Sequence, residues 1–214
     1  MVITDIYAHY TIPSHLQMHM LRVAAVAKYI CEHMQEPIDT ESTVTACLLH
    51  DMGNILKFNM SVRPDLLTPE GPEYWLSVQD DFKRRYGSDE HDATLAIMRE
   101  VGVSDRVLEI FSLMGFSQTE QALAVGDMAA LIGNYSDQRV GPDRVMLLRE
   151  RLLEARDRYL SRAHVVYDAA FFDKTLLQAE HVEDVIFSQC SLTPSAIDDS
   201  VIDPLLESLR HTHI

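Results

Sequence analysis

Apolar residues recur at intervals of three and four positions along most of the chain. This spacing places apolar side chains on one face of an α-helix, whereas half-buried strands alternate apolar and polar positions and are joined by hairpin turn pairs. Neither of these strand signals is found in the sequence. The pattern therefore predicts an all-α protein.

The clearest helical stripe begins at Leu16, continues to Met34 and stops before Pro37. Its apolar positions follow the period of an amphipathic helix. Ser14 and Gln17 have the spacing of a capping box, in which two side chains satisfy backbone N–H groups at a helix start. The sequence thus predicts a long first helix that starts at Ser14.

A second helix is predicted to follow, with Asp39 or Thr40 as its N-cap. Cys47 and Leu48 lie on its inward stripe. Gly53 is expected to end the helix in the left-handed conformation, which glycine adopts without steric cost.

The rest of the chain divides at prolines and glycines. Residues 57–87 are predicted to form a loop-rich insert with a short helix at about 73–85. Further helices are expected at about 88–102, 104–115, 119–137 and 143–160, and more follow after that, one of them starting at Asp203 and Pro204. We assign residues 1–162 to one helical domain and residues 163–214 to a C-terminal helical extension packed on it.

The charge balance narrows the range of partners. Lys and Arg total 18 against 33 Asp and Glu, and the resulting formal net charge of −15 opposes stable nucleic-acid binding. A small phosphorylated substrate stays compatible, because a bound metal cation makes a local site positive. The sequence shows no leader, no membrane-spanning apolar run and no C-x-x-C pair. We expect a cytoplasmic protein that does not bind membranes, and a homodimer is left open.

The segment LLHDMGN, residues 48–54, puts an acid where the helical pattern is apolar. Asp51 follows the inward residues Cys47 and Leu48 by four and three positions, so its carboxylate faces the core at the end of the second helix. The helix dipole and burial both disfavour a negative charge there unless a cation is close. A positive group is therefore expected beside Asp51.

Histidines and a further acid are available to bind a metal cation at this point. His50 is adjacent to Asp51, and His19 borders the inward stripe of the first helix. Asp127 and Asp137 lie on one stripe of the helix predicted at about 119–137. Spacing alone leaves both acids open as the fourth ligand.

The stretches HMLRVAAVAKYI, ACLLHDMGN and YSDQRV together resemble the H…HD…D signature of the HD-domain metal-dependent phosphohydrolases, which are all-α bundles. HDATLAIMREVGV and the region after YSDQRV also resemble segments of smaller family members. The resemblance implies that one divalent metal is bound by His19, His50, Asp51 and Asp137, and that His91 faces the same pocket. Two imidazoles and two carboxylates suit Mn, Fe, Co or Mg with open coordination positions better than a closed zinc site.

The resemblance also implies an activity: metal-dependent hydrolysis of a small phosphate ester, with a nucleotide phosphomonoester as the leading candidate. Asp51 and His91 are then the candidate catalytic residues. Arg22, one turn after His19, and Arg139 are candidate phosphate contacts, because a guanidinium matches phosphate oxygens in a fork.

Two departures from the family pattern keep a second function open. Asn54 stands where many relatives have a lysine, and Met114 stands near the place where relatives with two metals have a histidine. The alternative is a regulatory module of the HD fold that binds a metal or a nucleotide with little or no turnover. Oxidation at a di-iron site would need more histidine ligands than the sequence places.

Three other polar features have simpler interpretations. Asp127, if it is not a ligand, is expected to be solvated or paired with an arginine. His15 directly follows the predicted cap and is expected to be exposed. The basic residues 83–85 are expected to form a solvated helix end.

Overall fold

The computed structural model describes residues 1–60, 68–160 and 168–214. These ranges contain eleven α-helices and, outside the helices, only isolated β-bridges, which confirms the all-α prediction. None of the helices in these ranges is both long enough and apolar enough to cross a membrane. The helices are α1 (Ile3–His9), α2 (Ser14–Cys31), α3 (Thr40–Leu49), α4 (Pro72–Tyr86), α5 (Glu90–Val101), α6 (Asp105–Ser112), α7 (Thr119–Val125), α8 (Met128–Arg139), α9 (Leu148–Leu160), α10 (Ala169–Phe187) and α11 (Asp199–Arg210).

The core is built around α2, which is buried along most of its length. Ten of its 18 residues are buried, among them the small residues Ala24, Ala25 and Ala27. Because these side chains are short, neighbouring helices approach closely, and α2 contacts α3, α8 and α11. The predicted first long helix is confirmed, although it ends at Cys31 rather than at Met34.

The capping box predicted at the start of α2 was wrong. Ser14 is already the first helical residue, and Pro13 occupies the N-cap position. Gln17 instead donates its side-chain amide to the carbonyl oxygen of Ile12 at 2.7 Å. The proline ring fixes the backbone at the entry to the helix, so the turn does not depend on a side-chain cap.

The second helix starts as predicted but ends differently. Asp39 is its N-cap and accepts a hydrogen bond from the backbone N–H of Ser42 at 3.1 Å. Gly53 has a φ of −89°, so the predicted left-handed stop was wrong. Glycine is needed there for a different reason: a Cβ atom would overlap with the carbonyl oxygen of Glu90 on α5. The sequence analysis therefore identified Gly53 correctly as a glycine that the fold requires, but the reason is its close contact with α5.

The single helix predicted at about 119–137 is two helices. Gly126 adopts the left-handed conformation with a φ of 70° and ends α7, and Asp127 then caps α8. Asp127 accepts from the backbone N–H of Ala130 at 3.0 Å and from Arg106 at 2.9 Å. The interpretation of Asp127 as an arginine-paired carboxylate is thereby confirmed.

The described part of the insert contains α4, and an additional helix, α1, precedes the first predicted one. Helix α4 confirms the short helix predicted at about 73–85, whereas residues 61–67 of the insert lie outside the described residues. Helix α1 was not predicted. Its Tyr7 is fully buried and donates its hydroxyl to the carbonyl oxygen of Leu48 at 2.6 Å, which ties α1 to α3.

The C-terminal helices lie against the same core. Helix α11 contacts α2, and α10 contacts α7, α8 and α9. Asp198 caps α11 by accepting from the backbone N–H of Ser200, and Pro204 lies inside the helix, so the start predicted at Asp203 and Pro204 was wrong. The predicted boundary between residues 162 and 163 falls on residues that the structure does not describe.

Arg139 fixes the C-terminal segment to the core. Its side chain is fully buried, and its guanidinium donates to the carbonyl oxygens of Pro194 at 3.2 Å and Ile197 at 2.9 Å. It also donates to the carbonyl oxygen of Met146 and to the hydroxyl of Tyr135. One cation at the end of α8 therefore satisfies polar groups from two distant parts of the chain.

Replacing this arginine is expected to destabilise the whole fold. Arg139→Met keeps most of the apolar stem but leaves buried carbonyl oxygens without a donor, which should lower the free energy of unfolding by about 3 kcal/mol. Chemical denaturation followed by circular dichroism measures this loss. Arg149→Met is the matched control, because the Arg149 side chain is 63 % exposed. Equal stability of the two variants would contradict the role assigned to Arg139.

Candidate metal centre

The predicted metal ligands meet where three helices come together. His19 lies on α2, His50 and Asp51 directly follow α3, and Asp137 lies in the last turn of α8. These three helices contact one another pairwise in the core. The sequence therefore delivers four donor side chains to one point from three separate segments.

The donor atoms lie at short distances from one another. His19 Nε2 is 3.2 Å from Asp137 Oδ1 and 3.6 Å from Asp51 Oδ2. His50 Nε2 is 3.4 Å from Asp137 Oδ1 and 3.7 Å from Asp51 Oδ2. The donors of His19, His50 and Asp51 all lie within 4.8 Å of one another and could hold a metal ion. Asp137 completes the group through its approach to both imidazoles.

The spacing and the chemistry of these atoms fit a divalent cation. Two ligand atoms about 2.1 Å from a metal ion are separated by about 3.0 Å at a right angle and about 3.4 Å at a tetrahedral angle. His50 Nδ1 lies 2.8 Å from the carbonyl oxygen of Cys47, which fixes the ring with Nδ1–H as the donor. Its Nε2 atom is buried and finds no hydrogen-bond partner among the residues that the structure describes. The lone pair of His50 Nε2 points toward the carboxylates of Asp51 and Asp137. This arrangement is unfavourable unless a proton or a metal cation lies between the nitrogen and the carboxylate oxygens.

In the metal-free protein, the charges of the donor group shift the pKa values of His50 and Asp137. Burial lowers the pKa of His50, but the charges of Asp51 and Asp137 outweigh burial and raise this pKa to about 9. Burial acts to raise the pKa of Asp137, but His19 and His50 hold that pKa well below its usual range. Without metal, a proton on His50 therefore replaces the missing positive charge.

The turn that carries Asp51 is held against α5. The backbone N–H of Gly53 donates to the hydroxyl of Thr94 at 2.9 Å, and that hydroxyl donates to the carbonyl oxygen of Glu90 at 2.8 Å. Asn54, at the start of a short 3-10 turn (Asn54–Lys57), donates its side-chain amide to Asp51 Oδ2 at 2.8 Å. Asn54 entered the sequence analysis only as a departure from the family pattern, and its contact with Asp51 was not predicted.

His91 and Met114 are placed differently from the four donors. His91 is exposed in the first turn of α5, where its ring stacks on Phe111 with centroids 4.6 Å apart, and it is not part of the donor group. A catalytic role for His91 stays a prediction. Met114 is buried, and its sulfur faces Gly133, one turn before Asp137 on α8. An apolar side chain thus lies beside α8 near the position where relatives with two metals have a histidine.

The structure distinguishes the two arginines proposed as phosphate contacts. Arg22 is half-buried on α2, one turn after His19, and its Nε atom is buried with no hydrogen-bond partner in the described part of the chain. Arg139 cannot play the proposed role, because its guanidinium is buried and committed to backbone carbonyl oxygens. That prediction failed because the acceptors lie 55 and 58 residues further along the chain.

Arg151 is a cation that the sequence analysis did not single out. Its Nε atom donates to the carbonyl oxygen of Val140 at 2.9 Å, and only 17 % of its side chain is exposed. Burial lowers the pKa of Arg151, and the charge of Asp137 acts in the opposite direction, so the two side chains are close enough to interact. Nothing in the local sequence distinguishes Arg151 from the neighbouring arginines.

His15 and Lys57 lie outside the donor group. His15 is half-buried and its ring stacks on Phe58 with centroids 5.2 Å apart, so the prediction that it is exposed was wrong. Lys57, the first lysine after the HD motif, forms an ion pair with Glu90 at 2.6 Å.

A separate cavity of about 510 Å³ lies between the end of α1 and α4. Its wall includes Tyr10, Thr11, Phe82, Arg84 and Arg85. The two arginines form ion pairs with Asp81, in agreement with the predicted solvated helix end. Because none of the four donor residues lines this cavity, we place the candidate site at the donor cluster.

Residues 16–74 match the family model of the HD domain. The matched segment includes His19, His50 and Asp51, and Asp137 lies beyond it. This partial match confirms the resemblance to the HD-domain family noted in the sequence, and HD domains bind divalent metals. No curated protein and no solved structure gives a significant match to the chain.

Measuring the metal content of variants is expected to show that Asp137, and not Asp127, is a metal ligand. Protein purified without a histidine tag or chelator should carry about one divalent metal per chain, and Asp51→Ala and Asp137→Ala should lose it, because each removes a carboxylate from the donor group. Mass spectrometry of the bound metal gives the count. Asp127→Ala is the control and should keep the metal, since that carboxylate caps α8 and binds Arg106. Loss of metal from Asp127→Ala alone would contradict the assignment.

The metal-free protein is expected to lose stability as the pH rises through about 9. The folded-state pKa of His50, about 9, lies above its usual value of 6.5, so its contribution is complete below about pH 6.5 and disappears as the imidazole loses its proton. The Tm of chelator-treated protein should fall by roughly 5 °C over this interval. His50→Gln should show a flatter profile, and identical profiles for the two proteins would rule out His50 as the titrating group.

Proposed function

We propose that the protein is a metal-dependent phosphohydrolase that cleaves a small phosphate ester, with a nucleotide phosphomonoester as the leading substrate. The observation that carries the proposal is the convergence of two imidazoles and two carboxylates on one point, with His50 Nε2 buried and unpartnered. HD domains are typically found in metal-dependent hydrolases, which agrees with this donor set. The substrate is inferred from the chemistry of the site.

The donor group is partly open to solvent. The side chains of His19, Asp51 and Asp137 are 18 %, 23 % and 24 % exposed, whereas that of His50 is 5 % exposed. A bound divalent cation would supply Lewis acidity and an activated water at this opening. His50 then acts as the buried anchor of the site, and the other three donors form the face that a substrate approaches.

Two arginines provide positive charge for a phosphate in an otherwise acidic protein. Arg22 follows His19 by one turn and keeps a buried N–H group without a partner among the described residues. Arg151 on α9 interacts with the charge of Asp137 and also forms an ion pair with Glu154 at 3.1 Å. Guanidinium groups near the donor group lower the cost of bringing a dianion to a chain of net charge −15.

A binding module with little or no turnover is the second candidate, and the position of His91 favours it. His91 was expected to face the pocket, yet its ring stacks on Phe111 outside the donor group. Lys57 is also occupied by Glu90. A site with the metal ligands but without a further acid–base group would bind a phosphate compound without cleaving it efficiently.

Hydrolysis assays separate the two candidates. Nucleoside monophosphates and a chromogenic phosphate ester, supplied with Mn²⁺, Co²⁺ or Mg²⁺, should be cleaved by the wild-type protein and not by Asp51→Ala. Absence of product above the Asp51→Ala background, in a protein that still binds the metal, would favour the binding module.

Substitution of Arg22 should lower kcat/KM without removing the metal. Arg22→Met retains the apolar stem and removes the guanidinium, so kcat/KM for a phosphate ester should fall about 10-fold to 100-fold while metal content stays at the wild-type level. Steady-state kinetics and metal analysis on the same sample provide both values. Arg84→Met is the control, because the Arg84 side chain is 75 % exposed and lies on α4. An unchanged kcat/KM in Arg22→Met would exclude Arg22 from the site.

A further inference from the structure

Asn54 touches the donor group without being one of its four members. Its side-chain Nδ2 donates to Asp51 Oδ2 at 2.8 Å. That oxygen is the atom of Asp51 that lies 3.6 Å from His19 Nε2 and 3.7 Å from His50 Nε2. The amide therefore contacts the same carboxylate oxygen that faces the imidazole pair.

The orientation of the Asn54 amide shows that its Nδ2 atom, and not its Oδ1 atom, contacts Asp51. Asn54 Oδ1 is buried and has no hydrogen-bond partner within the described ranges. Rotating the amide by half a turn would place Oδ1 against Asp51 Oδ2, and two acceptors would then repel each other. The side chain thus keeps its donor on Asp51 although its acceptor finds no partner among the described residues.

The backbone around Asn54 restricts the movement of both residues. The backbone N–H of Asn54 donates to the carbonyl oxygen of Asp51 at 2.9 Å, and Gly53 is fixed to Thr94 on α5. The donor and the carboxylate are therefore held on one short turn. Such an arrangement fixes a metal-binding carboxylate before the metal arrives, which is the usual role of a hydrogen-bonded neighbour in metal sites.

We infer that Asn54 is the positioning residue of the metal centre: its Nδ2 holds Asp51 Oδ2 toward His19 and His50 and raises the affinity of the site for a divalent cation. The inference rests on the proposed function only as far as metal binding. A neutral amide does this without adding positive charge beside the metal, which an ammonium group at the same position would do. The net charge of the site and its geometry are thus set by the same residue.

Direct metal titration tests this role without a substrate. Asn54→Leu, which has nearly the same size and lacks the donor, should raise the Kd for Mn²⁺ about 10-fold to 100-fold in calorimetry. The visible absorption of bound Co²⁺ should also change, because Asp51 is free to turn. Asn54→Ser, whose side chain is too short to reach Asp51, should behave in the same way and guards against a folding defect in Asn54→Leu.

Gln79→Leu is the matched control for loosening of the turn. Gln79 is a buried amide on α4 that donates to the carbonyl oxygens of Ile55 at 2.8 Å and Phe58 at 3.0 Å, so it holds the same segment without touching Asp51. Gln79→Leu should lower the Tm and change the Kd for Mn²⁺ less than 3-fold. The inference is overturned if Asn54→Leu and Asn54→Ser bind Mn²⁺ like the wild type, or if Gln79→Leu weakens binding as much as they do.

The outcomes also separate this inference from the proposed hydrolysis. A wild-type protein that binds Mn²⁺ and shows the expected Asn54 pattern, but cleaves no phosphate ester, would overturn the proposed function alone. Ester hydrolysis combined with unchanged Mn²⁺ affinity in both Asn54 variants would overturn the positioning role alone. A wild-type protein that takes up neither Mn²⁺ nor Co²⁺ would overturn both.

Discussion

The balance of charge between two carboxylates and two imidazoles governs this structure. Asp51 follows α3, Asp137 lies on α8, and the two carboxylates are brought together at a partly buried site. Carboxylates in such a place are tolerated only with a positive partner. A proton on His50 can act as that partner, and a divalent cation can do so with all four donors at once. The packing of α2, α3 and α8 is thus linked to the chemistry at their meeting point.

The scaffold allows this convergence through small residues at close contacts. The alanines of α2 let α3 and α8 approach the helix that carries His19. Gly53 lets the turn with Asp51 lie directly on the backbone of α5. Larger residues at these positions would overlap with neighbouring atoms and push the elements apart. Packing volume, and not only the identity of the ligands, therefore determines whether the site can form.

The features predicted correctly from the sequence are those with local causes. Helical periodicity identified α2 and placed His19 beside its inward face, and the same reasoning located Asp51 at a buried helix end. Spacing could not choose between Asp127 and Asp137, because both lie on one stripe of the predicted helix, and only the structure shows that Asp127 caps α8 and binds Arg106. Some errors are local, such as the capping box at Ser14 and the missed break at Gly126, whereas others concern contacts between distant segments. Arg139 bonds to residues more than fifty positions away, a pairing that no local pattern contains.

The contacts of Arg139 also bear on when the site can form during synthesis. Arg139 lies two residues after Asp137 on α8, and its buried guanidinium is satisfied by carbonyl oxygens at Pro194 and Ile197. Until those residues leave the ribosome, the Arg139 guanidinium lacks two of its four acceptors, since only Tyr135 and Met146 lie close to it in the chain. The end of α8, which carries Asp137, therefore gains its complete set of native contacts only late in synthesis. A nascent chain that already displays His19, His50 and Asp51 would acquire its fully fixed fourth donor last.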